Sequence, residues 1–314
     1  MRLDDLPESG NVEDRREEGG FGGGGGGFGL PIGGGGLSIG AIVALGLIGW
    51  ALGIDPSLLI GGAEILTGPS QPQVQAPPTA RRTGAPQDDM GRFVSKVLGS
   101  TELQWKQIFA KDGKTYRPPV LVLYRGATHA SCGGAAQSAM GPFYCPADQK
   151  VYLDTSFFDQ IVTRLRGCEV RNNACQFAQA YVIAHLVGRH VQNLLGILPK
   201  AQQAQRAADS KAAANHIQVQ VELQADCLAG IWANRENEML KSEGKPPFIE
   251  PGDVEAALRT AAAIGDDTLQ RRAQGYVVPD SFTHGSSEQR QRWFNTGFRS
   301  GSIASCNTFA AAQL

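Results

Sequence analysis

The order of apolar and polar positions divides the chain into a leading stretch without a core pattern and a longer stretch that has one. Residues 1–36 carry mixed charge as far as Glu18, followed by glycine runs at 22–27 and 33–36. Such a composition buries too little apolar surface to offset the entropy of ordering and predicts a disordered tail. Residues 37–54, LSIGAIVALGLIGWALGI, contain no charge. As a helix this run spans about 27 Å against a hydrocarbon core of about 30 Å, which predicts one transmembrane helix. A cleaved signal peptide competes with that reading, but the run is longer than the apolar core of such peptides and begins far from Met1, so an uncleaved anchor is favoured. Residues 55–92 form a membrane-proximal segment whose larger part, from Thr67, is rich in Pro, Gln and Ala without an apolar period, as expected of a spacer.

From Phe93 the pattern becomes that of a folded domain, residues 93–314. Phe93, Val97 and Leu98, then Leu103, Trp105 and Phe109, fit two short amphipathic helices broken at Gly99-Ser100. Val120–Tyr124 and Lys150–Asp154 read as strands. From Thr155 onward the period is helical, with elements at about 156–166, 174–196, 200–214, 215–239, 252–272 and 286–299 and breaks at Gly196, Pro199, Gly244 to Pro247 and Gly275. Ser286 with Gln289 predicts a capping box for the last helix. A small β-sheet followed by mainly helical chain is an α+β arrangement.

Charge and cysteine content narrow the setting. A net charge of −1 provides no basic face for phosphates and excludes nucleic acid as a partner. Arg15 and Arg16 precede the uncharged run and no Lys or Arg follows it before Arg81, so the positive-inside rule predicts a cytoplasmic N-terminus and a periplasmic or extracellular C-terminal domain. None of the six cysteines lies in a CxxC pair. Six reduced thiols fit the count equally well, but an exported domain favours disulfides. Cys132 with Cys145 and Cys168 with Cys175 are near enough to close short loops, which leaves Cys227 for Cys306.

The candidate chemistry centres on the helical run 180–192, which contains His185-Leu186-Val187-Gly188-Arg189. This is the frame of HExxH, in which two imidazoles four residues apart share a helical face with a carboxylate. On a second predicted helix Glu222 and Asp226 stand one turn apart. Taken alone, His185 reads more often as a packed core histidine and the two acids as a solvated face. The flanking blocks change that balance. They are Gly10 to Arg16, Gly141-Pro142-Phe143-Tyr144-Cys145-Pro146, AYVIAH at 180–185, Ala225-Asp226-Cys227, and Thr283-His284-Gly285-Ser286-Ser287 followed by Gln289-Arg290 and Trp293-Phe294. In these blocks the chain resembles the neutral zinc metallopeptidase family of membrane-anchored bacterial peptidases.

The resemblance implies a zincin-like fold, a zinc cofactor and peptide-bond hydrolysis. It aligns His185 with the first zinc ligand, Arg189 with the second, Glu222 with the third, Asp226 with a carboxylate behind a metal-bound imidazole, and Leu186 with the general base. Two of these five have lost the required chemistry. A guanidinium has no lone pair to give a metal and stays charged. Leucine accepts no proton, and loss of a positioned base typically costs about 10²- to 10⁴-fold in rate. His190 is no substitute ligand, because five residues along a helix turn it roughly 140° from His185. Zinc binding is therefore expected to be weak or absent, with Arg189 reaching Glu222, and Asp226 beyond it, in place of the metal. His284, in a turn before the last helix, is a candidate for stabilising an oxyanion or docking a peptide, against the alternative of a loop histidine that ties down its turn. Three functions remain: a disabled peptidase that binds polypeptide segments or envelope proteins, a working zinc endopeptidase, and a purely structural envelope protein.

Overall fold

The computed structural model describes residues 1–17, 82–84, 86–132, 134–137, 141–163, 174–250, 252–263, 265–268 and 276–314. The uncharged run 37–54, the glycine runs before it and the spacer after it, as far as residue 81, lie outside these residues. Among the described residues no helix is long and apolar enough to cross a membrane.

The fold is α+β, a small mixed sheet with mostly helices. Strands β1 (Val12–Asp14), β2 (Arg82–Thr83), β3 (Val120–Tyr124), β6 (Phe143–Cys145) and β7 (Lys150–Asp154) form one sheet in the order β2-β1-β3-β7-β6. Its three central strands run parallel, with Leu121 opposite Val151 and Leu123 opposite Leu153, and both edge strands are antiparallel. Buried β-branched and aliphatic residues on β3 and β7 are what a sheet covered on both faces requires. Between β3 and β6, a stretch for which the sequence pattern suggested no element, β4 (Ala127–Ala130) and β5 (Gly134–Gln137) pair as an antiparallel ladder.

Residues 1–17, expected as part of a disordered tail, are packed into the fold. Met1, Leu6 and Val12 are buried in the main core, and β1 lies between β2 and β3. The Met1 ammonium is 2.8 Å from Glu250 and 2.7 Å from Asp253, and Ser9 and the Asn11 side chain both donate to Glu102. A three-residue strand is too short to show alternation, so composition dominated the reading of that segment.

Helix α1 (Asp89–Lys111) is continuous where two helices with a break at Gly99 were expected, and Asp88 caps it by accepting from Gly91 N. Gly99 serves packing: a Cβ there would stand 2.2 Å from the Pro7 carbonyl oxygen. The N-terminal segment therefore lies directly on α1. Further α-helices among the described residues are α2 (Ser156–Thr163), α3 (Ala174–Leu194), α4 (Ile197–Arg206), α5 (Lys211–Ser242), α6 (Asp253–Ala263) and α7 (Ser287–Ser300). The break expected at 214–215 falls earlier, where the Ser210 hydroxyl caps α5 by accepting from Ala213 N. The predicted capping box of α7 is present.

Two bridges match the expected pairing, Cys132–Cys145 and Cys227–Cys306. Cys175 is disulfide-bonded, and Cys168 lies outside the described residues.

Glycines set the helix spacing that builds the site. At Gly188 of α3 a Cβ would meet the Ala225 carbonyl of α5 at 3.0 Å. At Gly297 of α7 it would stand 1.8 Å from the Cys227 carbonyl, and at Gly230 it would stand 2.2 Å from the Phe294 carbonyl. Backbones this close bring side chains of all three helices onto common partners.

Candidate functional site

A buried row of charges runs across α3, α5 and α7. His185 on α3 sits between the two acids of α5, its Nε2 3.0 Å from Glu222 Oε2 and its Nδ1 2.7 Å from Asp226 Oδ1. The Arg189 guanidinium, one turn along α3, is 3.2 Å from Glu222 Oε1, within ion-pair range but not aligned as a hydrogen bond. Gln218 donates to the same oxygen at 2.8 Å. The expected contact of Arg189 with Glu222 is thus formed. The contact with Asp226 is made instead by Arg290 of α7, which donates from Nε to Oδ2 and from Nη2 to Oδ1, both at 2.9 Å. Tyr181 completes the shell of Asp226, donating to Oδ1 at 2.5 Å while accepting from Arg290 Nη2 at 3.1 Å.

Burial and charge pull against each other along this row. Burial disfavours the charged form of His185, yet the Asp226 and Glu222 carboxylates outweigh it and hold the imidazole above its ordinary value. Burial likewise opposes ionisation of Glu222 and Asp226. Arg189 and His185 hold Glu222 well below the carboxylate range, and Arg290 and His185 lower Asp226. With a carboxylate against each ring nitrogen, His185 is arranged as an imidazolium that donates on both sides.

Zinc does not fit this arrangement. A ligating histidine offers a lone pair from one nitrogen, and here both nitrogens are directed at carboxylate oxygens. Arg189, which the resemblance aligns with the second ligand, is a cation that has no lone pair. Among the described residues, no group of three His, Cys, Asp or Glu side chains could hold a metal ion. Leu186, which the resemblance aligns with the general base, is a buried apolar side chain. His190 is turned away as its spacing requires: it donates from Nε2 to the Arg117 carbonyl at 2.6 Å and accepts at Nδ1 from Tyr144 at 3.0 Å. Burial lowers its affinity for a proton, consistent with a neutral ring in the core.

A cavity of about 390 Å³ opens over the row, lined by Gly141, Pro142, Phe143 and Tyr144 on one side and by Val182, Leu186, Arg189 and His284 on the other. Strand β6, which supplies part of the first side, is the terminal strand of the sheet. His284 is half-exposed on the rim, its Nδ1 3.2 Å from Asp266 Oδ1. The turn is tied by Asp266, whose Oδ2 accepts from the backbone N–H groups of Thr283, His284 and Gly285 at 2.6, 2.6 and 3.0 Å. With the carboxylate holding the turn, the imidazole is available to the cavity.

His185, Leu186, Arg189, Glu222, Asp226 and His284 are therefore brought together, while Cys132, Cys145, Cys227 and Cys306 form disulfide bridges and are not among the cavity-lining residues. Arg290, Tyr181 and Asp266 carried no role in the sequence reading. A signal existed for Arg290: a cation in the opening turns of a helix opposes the macrodipole and implies a tertiary partner. Tyr181 lies four residues before His185, on the same helical face.

A sequence profile described as "Putative neutral zinc metallopeptidase" matches residues 1–309 of the chain. The "Uncharacterized protein YpfJ" of Escherichia coli strain K12 is 48% identical over 310 residues, covering 98% of this chain and 99% of that protein. The "Uncharacterized protein Mb2605" of Mycobacterium bovis is 42% identical over 241 residues, 74% of this chain and 75% of that protein. No solved structure matches.

Proposed function

This chain belongs to the neutral zinc metallopeptidase family, and on that premise we propose that it is a family member whose hydrolytic centre has been replaced by an ion-pair network and whose cleft binds extended polypeptide segments. The observation that carries the reading is Arg189 paired to Glu222 while both nitrogens of His185 face carboxylates. The cation a metal would have supplied is supplied by a side chain, and a guanidinium neither polarises a bound water to the hydroxide stage nor leaves a coordination position open. The zincin-like arrangement proposed from the resemblance is supported by a helix bearing His185 packed on a helix bearing Glu222 and Asp226.

Peptide binding is supported by the cleft. The terminal strand β6 borders it, and a sheet edge accepts an extended chain through main-chain hydrogen bonds. Pro142, Phe143, Val182 and Leu186 provide apolar contact for side chains, and His284 stands on the rim to meet a carbonyl oxygen. Envelope proteins presenting such segments are the partner class this proposal entails.

The test is reversion. Leu186→Glu with Arg189→His restores the missing base and ligand, and zinc content and hydrolysis of an unfolded casein substrate are measured beside the parent. Zinc near stoichiometry and chelator-sensitive hydrolysis in the revertant alone support the proposal; the same properties in the parent overturn it. Binding of a labelled casein fragment to the parent, weakened by Val182→Asp, supports the peptide-binding half, and undiminished binding overturns it.

A further inference from the structure

The first seventeen residues bear on membrane topology. Asp14 of β1 is in register with Arg82 of β2, and Glu13 with Thr83. Paired residues on neighbouring antiparallel strands lie about 5 Å apart. The chain between them thus leaves the sheet at one edge and returns to the adjacent position. The other flank of β1 pairs with β3, from Val12 opposite Leu121 to Asp14 opposite Leu123. A single bilayer crossing between residues 17 and 82 would separate these partners by the hydrocarbon core, about 30 Å. It would also strip Met1 from Glu250 and Asp253, and Ser9 from Ser95.

The two arginines that satisfy the positive-inside rule have other partners. Arg15 is buried, paired with Glu13 and donating to Thr128 and the His129 carbonyl, and Arg16 is paired with Asp14 and Asp88. Their charges are compensated within the fold and are not free to mark a cytoplasmic flank. A cleaved leader fares no better, since cleavage near residue 54 would sever β1 from the sheet it helps to form.

We propose that residues 1–17 and the domain from residue 82 to Leu314 lie on one and the same side of the membrane. The single bilayer crossing expected from the uncharged run 37–54 is incompatible with that assignment. This assignment is independent of what the cleft binds.

The test uses the full chain in its membranes. Ser9 and Ser95 exchange two hydrogen bonds, Ser9 N to Ser95 O at 3.0 Å and Ser95 Oγ to Ser9 O at 2.9 Å. The variant Ser9→Cys with Ser95→Cys is combined with a protease site inserted in the Pro/Gln-rich spacer. Membranes are oxidised, thiols are blocked, and the protein is then solubilised and cleaved. No native cysteine precedes Cys132, so an N-terminal fragment retained on a non-reducing gel is held through position 9. Retention in the double variant, with release in each single variant, supports the proposal; release in the double variant overturns it. A second measurement needs no cross-link. Epitope tags placed between Asp4 and Asp5 and after Leu314 are probed in intact and permeabilised cells. Accessibility that changes together supports a common side, and one tag exposed while the other is protected overturns it.

Discussion

Replacing Arg290 with methionine keeps its length and removes its charge, which probes the buried row at the residue that the sequence reading missed. Arg290 is 3% exposed and Asp226 is fully buried, so water cannot replace the lost partner. The substitution removes two charge-assisted hydrogen bonds to Asp226 and one to Tyr181. Removing one member of a buried pair costs about 3–5 kcal/mol, because the remaining charge stays desolvated. Here His185 and Tyr181 still hold Asp226, which puts the expected loss near the lower limit, about 3 kcal/mol. For a domain of this size that corresponds to a fall in Tm of about 6–12 °C.

Urea unfolding of the full chain at pH 7 measures the loss, with an unchanged slope establishing that stability alone has moved. A cycle with Asp226→Asn isolates the pair. The double variant is expected to be less damaged than the sum of the single variants by about 1–3 kcal/mol, since neutralising Asp226 removes the charge that Arg290 was needed to balance. A loss below about 1 kcal/mol for Arg290→Met, typical of a surface change, or strict additivity in the cycle, would refute the account of Arg290 as the anchor of Asp226.

Four further outcomes follow from the same geometry. His185 has a raised folded-state pKa, so its contribution to stability is complete below its unfolded value, about 6.5, and is lost as pH rises through the folded value; a parent whose urea midpoint does not fall relative to His185→Gln as pH rises from that unfolded value would contradict the imidazolium assignment. Glu222, Asp226 and Asp266 have the opposite sign, with folded values below those of the unfolded chain, so their contribution is present above about pH 4 and is lost as pH falls through the folded values. Gly99→Ala places a Cβ 2.2 Å from the Pro7 carbonyl, and overpacking of about 1–3 kcal/mol should loosen the N-terminal segment, read as faster proteolysis between Met1 and Asn11. Removing the Cys227–Cys306 bridge, which spans 79 residues, should destabilise by about 4 kcal/mol on the chain-entropy account, and a denaturation midpoint unmoved by Cys306→Ser would count against it.

The parts of the fold that were legible in the sequence are those specified by local pattern. Strands β3 and β7, the capping box of α7 and the helices carrying His185 and Glu222 follow from periodicity and end signals. The pairing of Arg189 with Glu222 followed from the resemblance together with charge, because a buried carboxylate that lacks its metal needs another cation. What stayed hidden depends on partners distant in sequence. Three residues of β1 are defined by β3, more than a hundred positions later, and by the fit of Pro7 against Gly99. Gly99 looked like a helix break because close backbone approach and flexibility use the same residue. Arg290 was one cation on a helix rich in polar residues until the approach of Gly297 to Cys227 brought α7 against α5.

The sign of charge alternates along the buried row, from Arg290 through Asp226, His185 and Glu222 to Arg189. Each anion thereby has a cation on both sides, which is how five charged groups share one interior without shifting to their neutral forms. With His185 protonated, the row carries one positive charge in excess, and the more exposed of its two ends on the cavity is Arg189. A zinc ion entering there would have to discharge His185 and expel the guanidinium from Glu222, dismantling the compensation at two points before gaining a ligand. The proposed loss of hydrolysis therefore does not leave an empty site: the excess charge favours electron-rich ligands, and the carbonyl oxygens of an extended peptide laid along β6 are of that kind.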